Sequence, residues 1–384
     1  MAGQAQPDHA GLRPPRILIL SASIGAGHDL PAEVMAEELP RLAPGVGVKI
    51  LDTVKEAGPI LEAFVDGGSA FDTRLGNVAF DVQHRVLMQW GPGRRAMTRT
   101  VMGLARKRII AVAERERPDV IVSTWPGGTE ILARLRLSGE LQVPVVSAIT
   151  DLSSLWWWAH EGVDVHLVTH VESTAEIQAI AGPDAVIEHV RGLNDPAWVV
   201  PLAEDEARRA LDLPVEPKLV VVSGGGWGVG DLEGGIEEVL GRANTMVVVL
   251  CGGNADLRAR LERDYAGNGR VQVWGFTDRM PELFAAADAL IHSTAGLTML
   301  EAQMRGLPAI SYGWGLGHIR LNNEAYARFG LAQVAVNREE LGIELDHALE
   351  RRPQPDGSFA QLPTAAEVVL RFHAERLLDR ARGA

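Results

Sequence analysis

Cysteine is almost missing from this chain: among 384 residues only Cys251 carries a thiol. One thiol builds neither an intramolecular disulfide framework nor a cysteine-rich zinc site, and such usage fits a reducing compartment, so a cytoplasmic location is expected. Long apolar runs are missing too. No stretch approaches the ~20 residues that cross a bilayer, and the opening MAGQAQPDHAGLRPP lacks the apolar core of a signal peptide. Residues 1–15 are therefore expected to form a loose tail. Positive charge is scarce, with Lys plus Arg at 37 against 50 for Asp plus Glu, a net of −13. That field repels phosphate backbones, so no nucleic acid is expected as a partner. Aromatics make up 5% of the chain, yet 46% of it is hydrophobic, too much for wholesale disorder and enough for two large cores at this length.

What is present is a repeated pattern of short apolar runs ending in small or polar residues. In the first half these are Arg16–Ser21, Val46–Leu51 closing on Asp52, Pro118–Thr124, Val143–Asp151 and Val163–His170. In the second half they are Lys218–Gly226, Thr245–Gly253, Arg270–Phe276, Asp288–Ser293 and Leu307–Gly313. Helical stretches lie between them. Near-continuous apolar strands alternating with helices are what a parallel sheet covered on both faces requires. The pattern predicts an α/β chain of two Rossmann-like, doubly wound domains, residues 16–195 and 202–384, joined by a linker at 196–201. Ligands of such sheets sit beyond the carboxyl ends of the strands, which points to a cleft between the two halves.

Three glycine turns stand at strand ends. SGGGWGVG, Ser223–Gly230, follows a strand and precedes a helix, where backbone N–H groups of residues such as Gly225 and Gly226 can approach a phosphate. It matches neither the dinucleotide fingerprint nor a Walker loop. SIGAGH, Ser23–His28, places His28 at the mouth of the first loop, where an imidazole can act as general base. Gly25, Gly27 and Asp52 together half resemble a nicotinamide site, so a dehydrogenase stays open as a rival. HSTAGLTMLEA, His292–Ala302, turns at Ala295 and Gly296 into a helix. There the amides of Gly296, Leu297 and Thr298 suit a diphosphate, and Glu301, one turn deeper, suits two ribose hydroxyls.

Together these stretches resemble the monogalactosyldiacylglycerol synthases and the related bacterial diacylglycerol glucosyltransferases, inverting enzymes of the two-Rossmann GT-B architecture that also includes the MurG-type transferases. The motifs carrying the resemblance are SASIGAGH, VVSAITDL, WWWAHEGVDVHLV, GGGWGVG, CGGN, VWGF and TAGLTMLEAQMRGLP, in order from about Arg16 to Ala335. The resemblance implies a UDP-sugar donor in the C-terminal domain, with Gly275 and Phe276 at the base, Gly296 to Thr298 at the diphosphate and Glu301 at the ribose. It also implies a lipid acceptor in the N-terminal domain, where His28 and Asp151 match the family's histidine and TDL aspartate. Which of the two is the base stays open. No cofactor and no metal is implied. The chain departs from many relatives where they carry PGQE and it reads GLGHIRLNN with His318, a segment that faces the sugar hydroxyls in the family. It departs again where GGGEG becomes GGGWG, bringing Trp227 to the donor cleft.

Between Arg85 and Ala113 lie seven basic residues, among them Arg94 and Arg95, and no acidic one. With Trp90 and neighbouring Leu and Met they form a candidate contact with an anionic membrane, peripheral on its inner face and near the acceptor mouth at Gly27 and Trp157. Alternatives to lipid glycosylation are a soluble natural-product acceptor, a nucleotide-sugar epimerase of the same fold and a non-catalytic nucleotide-binding protein. The oligomeric state is left open.

Overall fold

The computed structural model describes residues 14–23, 26–59, 61–62, 91–294, 296–313, 318–351, 354–355 and 357–383, with backbone alone at 26, 91–98, 101, 102, 318 and 383. Ala295, Trp90 and the side chains of Arg94, Arg95 and His318 lie outside the described residues.

The first sheet is built from β1 (Arg16–Ser21), β2 (Gly47–Asp52), β3 (Val120–Ser123), β4 (Val145–Ile149), β5 (Val165–Val168) and β6 (Ile187–His189). The second comprises β7 (Lys218–Ser223), β8 (Thr245–Leu250), β9 (Val271–Trp274), β10 (Ala289–His292), β11 (Ala309–Tyr312) and β12 (Gln333–Ala335). Every pairing is parallel, in the orders β2-β1-β3-β4-β5-β6 and β12-β11-β10-β7-β8-β9. Strands β3, β4 and β5 are buried along their whole length, as their uninterrupted apolar composition requires when helices cover both faces.

In the first sheet the chain order reverses between β1 and β3, in the second between β7 and β10. At such a switch point the flanking helices diverge to opposite faces and leave a crevice beyond the strand ends. The GT-B expectation of two doubly wound halves is met by these two sheets.

Two strands escaped the sequence pattern. Both β6 and β12 are three-residue edge strands, partly exposed and without a continuous apolar run to announce them. The domain limits also need correction at the carboxyl end. The helix Ala365–Gly383 does not stay with the second sheet: Ala365, Ala366, Val368 and Val369 pack into the core of the first, beside Ile17, Ile19 and Met35. Arg376 pairs with Asp164 at 3.2 Å and Arg371 with Glu188 at 2.9 Å, so charge secures the same docking. A helix so far in sequence from its partners declares only that it is amphipathic; which sheet it covers is a tertiary outcome.

The long helix Gly91–Glu116 buries Ala105, Ile109, Val112 and Ala113 against the first domain and leaves Arg99 and Lys107 exposed. Among the described residues no helix is long and apolar enough to cross a membrane.

Candidate active site

The first switch point carries the histidine. Strand β1 ends at Ser21, whose hydroxyl donates to Asp29 at 2.5 Å, and His28 sits in the first turns of the helix Ala26–Leu42. Its Nδ1 lies 3.0 Å from the carbonyl of Thr124, the residue just after β3. A carbonyl only accepts, so Nδ1 carries the proton and the basic lone pair belongs to Nε2. The group that fixes this tautomer is therefore a backbone carbonyl, supplied by the neighbouring strand across the switch point. Gly27 beside it is exposed, with open space where a side chain would stand.

Asp151 follows β4 and is half-buried. The Trp158 indole donates to one of its carboxylate oxygens at 3.0 Å, and the Asn322 side-chain amide to the other at 3.3 Å. The rings of Trp158 and His28 lie 6.0 Å apart between centroids, so Trp158 stands between the two candidate catalytic groups. Trp157, expected at the membrane mouth, is only 8% exposed and packs on Trp156 with ring centroids 4.8 Å apart. It is a core residue here, which corrects the expectation of an interfacial anchor: the 3₁₀ turn Leu155–Trp157 folds its side chain inward.

The rival nicotinamide site loses its acid. Asp52 caps the helix Thr53–Ala57, accepting from Val54 N–H at 2.9 Å and Lys55 N–H at 3.2 Å, with Ser23 N–H at 3.4 Å. A carboxylate already engaged by backbone donors on its own loop is poorly placed to recognise a ribose.

The second switch point is lined by backbone. After β7 the chain makes a 3₁₀ turn, Gly225–Trp227, with Gly225, Gly228 and Gly230 at positive φ. A Cβ on Gly225 would lie 2.6 Å from the Thr294 hydroxyl and one on Gly230 2.3 Å from the Ser293 side chain, so this loop rests directly on the turn after β10. Gly226 instead faces open space, its carbonyl accepting from Gly253 N–H at 2.8 Å. Trp227 is 62% exposed, and Phe276, after Gly275 at the end of β9, is 78% exposed. Two large rings thus stand in water beyond the ends of β7 and β9, the strands on either side of β8.

At the β10 turn, Gly296 has φ 100° and begins the helix Leu297–Met304, whose start no side chain caps. Leu297 and Thr298, both half-buried, therefore stand in a first turn whose amides have no side-chain cap. The nearby His292 is fully buried, which lowers its pKa to about 4, so it is neutral near pH 7 and adds no cationic charge. Glu301 is buried and its pKa is pushed up to about 8 by that burial, opposed by a hydrogen bond with Asn194. A carboxyl held this way is largely protonated near neutral pH until a ligand offers it donors.

Residues 28–188 match the family described as monogalactosyldiacylglycerol (MGDG) synthase, and residues 230–335 match glycosyl transferases group 1. The processive diacylglycerol β-glucosyltransferase of Bacillus subtilis is 24% identical over 334 residues, covering 86% of this chain and 85% of that protein. The first domain is thus similar to the monogalactosyldiacylglycerol synthases, and most of the chain to diacylglycerol glucosyltransferases. A rice relative, the probable monogalactosyldiacylglycerol synthase 2, is 29% identical over 312 residues, or 77% of this chain and 65% of its own. Among solved structures, MurG from Acinetobacter baumannii superposes with a TM-score of 0.54 at 14% identity, covering 94% of this chain and all of that one. The glycosyltransferase SnogD from Streptomyces nogalater gives 0.54 at 16%, covering 94% and 99%. These two establish the GT-B fold.

Three groups in contact with His28 or Asp151 carry little signal in the sequence. The Thr124 carbonyl carries no side-chain signal. Trp158 was visible as part of the triplet Trp156–Trp158, but nothing in the triplet said which ring would turn toward Asp151. Asn322, buried at 1% exposure, comes from the other domain altogether.

Proposed function

We propose that this protein transfers a hexosyl group from a uridine-diphosphate sugar to the hydroxyl of a diacylglycerol-like lipid, inverting the anomeric centre. The observation that carries this reading is His28, its Nδ1 proton pinned on Thr124, at one switch point while the glycine turns of the donor domain line the other. The acceptor oxygen attacks the anomeric carbon as its proton passes to Nε2 of His28. The bond from that carbon to the diphosphate breaks, and the departing oxygen takes the electron pair. Its growing charge falls on the amides at Gly296, Leu297 and Thr298, with Gly225 and Gly226 opposite, fixed dipoles that need no reorganisation. Phe276 stacks the base above Gly275, Glu301 takes the ribose, and His318 stands in the segment facing the sugar. Asp151, held on both oxygens by N–H donors, acts as an orienting acceptor for the incoming hydroxyl rather than as the base.

The lipid would be met at an anionic bilayer on the inner face of the membrane. Arg99 and Lys107 are exposed on the helix Gly91–Glu116, each cation worth about 1 kcal/mol near such a surface, and Arg94, Arg95 and Trp90 precede them in the same basic stretch of sequence. The test is incubation with UDP-glucose or UDP-galactose and vesicles containing dioleoylglycerol and phosphatidylglycerol. A new β-linked glycolipid that is absent with His28→Ala supports the reading. Conversion of the nucleotide sugar without acceptor would assign an epimerase instead, and glycosylation of soluble alcohols alone would remove the membrane.

A further inference from the structure

One helix of the donor domain touches both halves of the proposed site. On the helix His318–Phe329, Asn322 and Tyr326 are four residues apart and therefore share a face, and each is 1% exposed. The Asn322 side-chain oxygen accepts from the Leu152 backbone N–H at 3.0 Å, while its amide donates to Asp151 at 3.3 Å. The first bond fixes the second, because an oxygen turned to a backbone N–H leaves only the NH₂ group for the carboxylate. Four residues on, the Tyr326 hydroxyl lies 3.3 Å from both the N–H and the carbonyl of Gly296, the turn that opens the anion-binding helix. The same ring meets His170, just beyond β5 of the first domain, edge to face at 6.4 Å between centroids. A single helical face thus grips the donor turn at one end and the Asp151–Leu152 backbone at the other.

We propose that Asn322 is a positioning residue: it holds Asp151 from the opposite domain, and with Tyr326 it makes this helix the strap that transmits occupancy of the Gly296 turn to the acceptor side. The inference rests on the donor and acceptor assignments proposed above. Gly296 is fixed to Tyr326 by its own backbone, so an anion drawn onto the turn shifts or stiffens the hydroxyl's partner. The rigid helix carries that change to Asn322 about 6 Å along its axis. Buried polar contacts of this kind have few alternative geometries, since losing one leaves a desolvated group without a partner.

Hydrogen exchange of the full chain, with and without saturating UDP, tests this without requiring turnover. In the unmodified protein UDP should slow exchange across residues 145–158. In Asn322→Ala that protection should vanish while UDP affinity stays within twofold, and kcat should fall at least tenfold with the donor KM little changed. Tyr326→Phe, which keeps the ring against His170 and loses only the hydroxyl, provides a milder break and should lose about half the protection. UDP-dependent protection that persists in both folded variants, or an unchanged kcat in Asn322→Ala, would overturn the strap. If UDP fails to bind the unmodified protein, the donor reading falls and the strap falls with it.

Discussion

The two domains share one topology and differ in what they place at its switch point. Beyond β1 and β3 stand side chains: His28, with Asp151 and Trp158 beside it. Beyond β7 and β10 glycine dominates, at Gly224, Gly225, Gly226, Gly228 and Gly230 and again at Gly296, with Trp227 exposed among them. The contrast suits the chemistry proposed for each crevice. Moving a proton needs a group that titrates near neutral pH, which backbone lacks. Holding a diphosphate needs several donors at close approach, which side chains would obstruct.

The largest expected break in this comparison is His28→Ala, which should lower kcat by roughly 10²–10⁴-fold and leave UDP affinity unchanged, as calorimetry and product assays together would record. On the other side, Gly225→Ala places a Cβ 2.6 Å from the Thr294 hydroxyl at φ +67°. It should cost a few kcal/mol of folding stability, read from a denaturant curve, and weaken UDP binding by more than tenfold. Gly226→Ala, facing open space, should spare stability and lose affinity alone, separating the loop's shape from its ligand contact.

Glu301 sharpens the contrast by its pH dependence. Folding raises its pKa from 4.5 to about 8, so between those values the folded chain binds more protons than the unfolded one. Stability should then fall as pH rises through that window, by an amount on the order of a few kcal/mol. Thermal melts of the UDP-free protein from pH 5 to 8 should show this slope, and Glu301→Gln should flatten it. A smaller effect is expected at the surface. Arg99→Glu combined with Lys107→Glu should weaken binding to phosphatidylglycerol vesicles by roughly 2 kcal/mol or more in a flotation assay, with the assay on detergent-dispersed lipid unchanged. Smallest is Asp52→Ala: loss of one helix cap should cost about 1 kcal/mol in stability without affecting transfer, whereas a nicotinamide enzyme would lose its cofactor.

Much of the fold was legible because buried parallel strands are written as uninterrupted apolar runs. Arg16–Ser21 and Lys218–Ser223 begin and end in the structure close to where the pattern changes. Strands β6 and β12 were not legible, since three residues at a sheet edge, most of them half-exposed, need no such run. At the site, the glycine turns and His28 stand out because each is an unusual residue in an informative place. Trp157 misled for the opposite reason: aromatic clusters suit a membrane interface and a core equally, and only packing decided for the core.

By itself the sequence determined local matters: the alternation of strand and helix, the glycines that allow close approach, the histidine at a loop mouth and the sign of the overall charge. These follow from the chain's immediate neighbours and from composition. The tertiary structure alone decided that β1 lies beside β3 and β7 beside β10, and so where the crevices open. It also decided that a backbone carbonyl 96 residues away sets the His28 tautomer, that Asn322 reaches Asp151 across 171 residues, and that the last helix returns to the first domain. Such contacts join residues whose sequence positions carry no record of one another, because they arise from burying two sheets against their helices rather than from any local preference of the backbone.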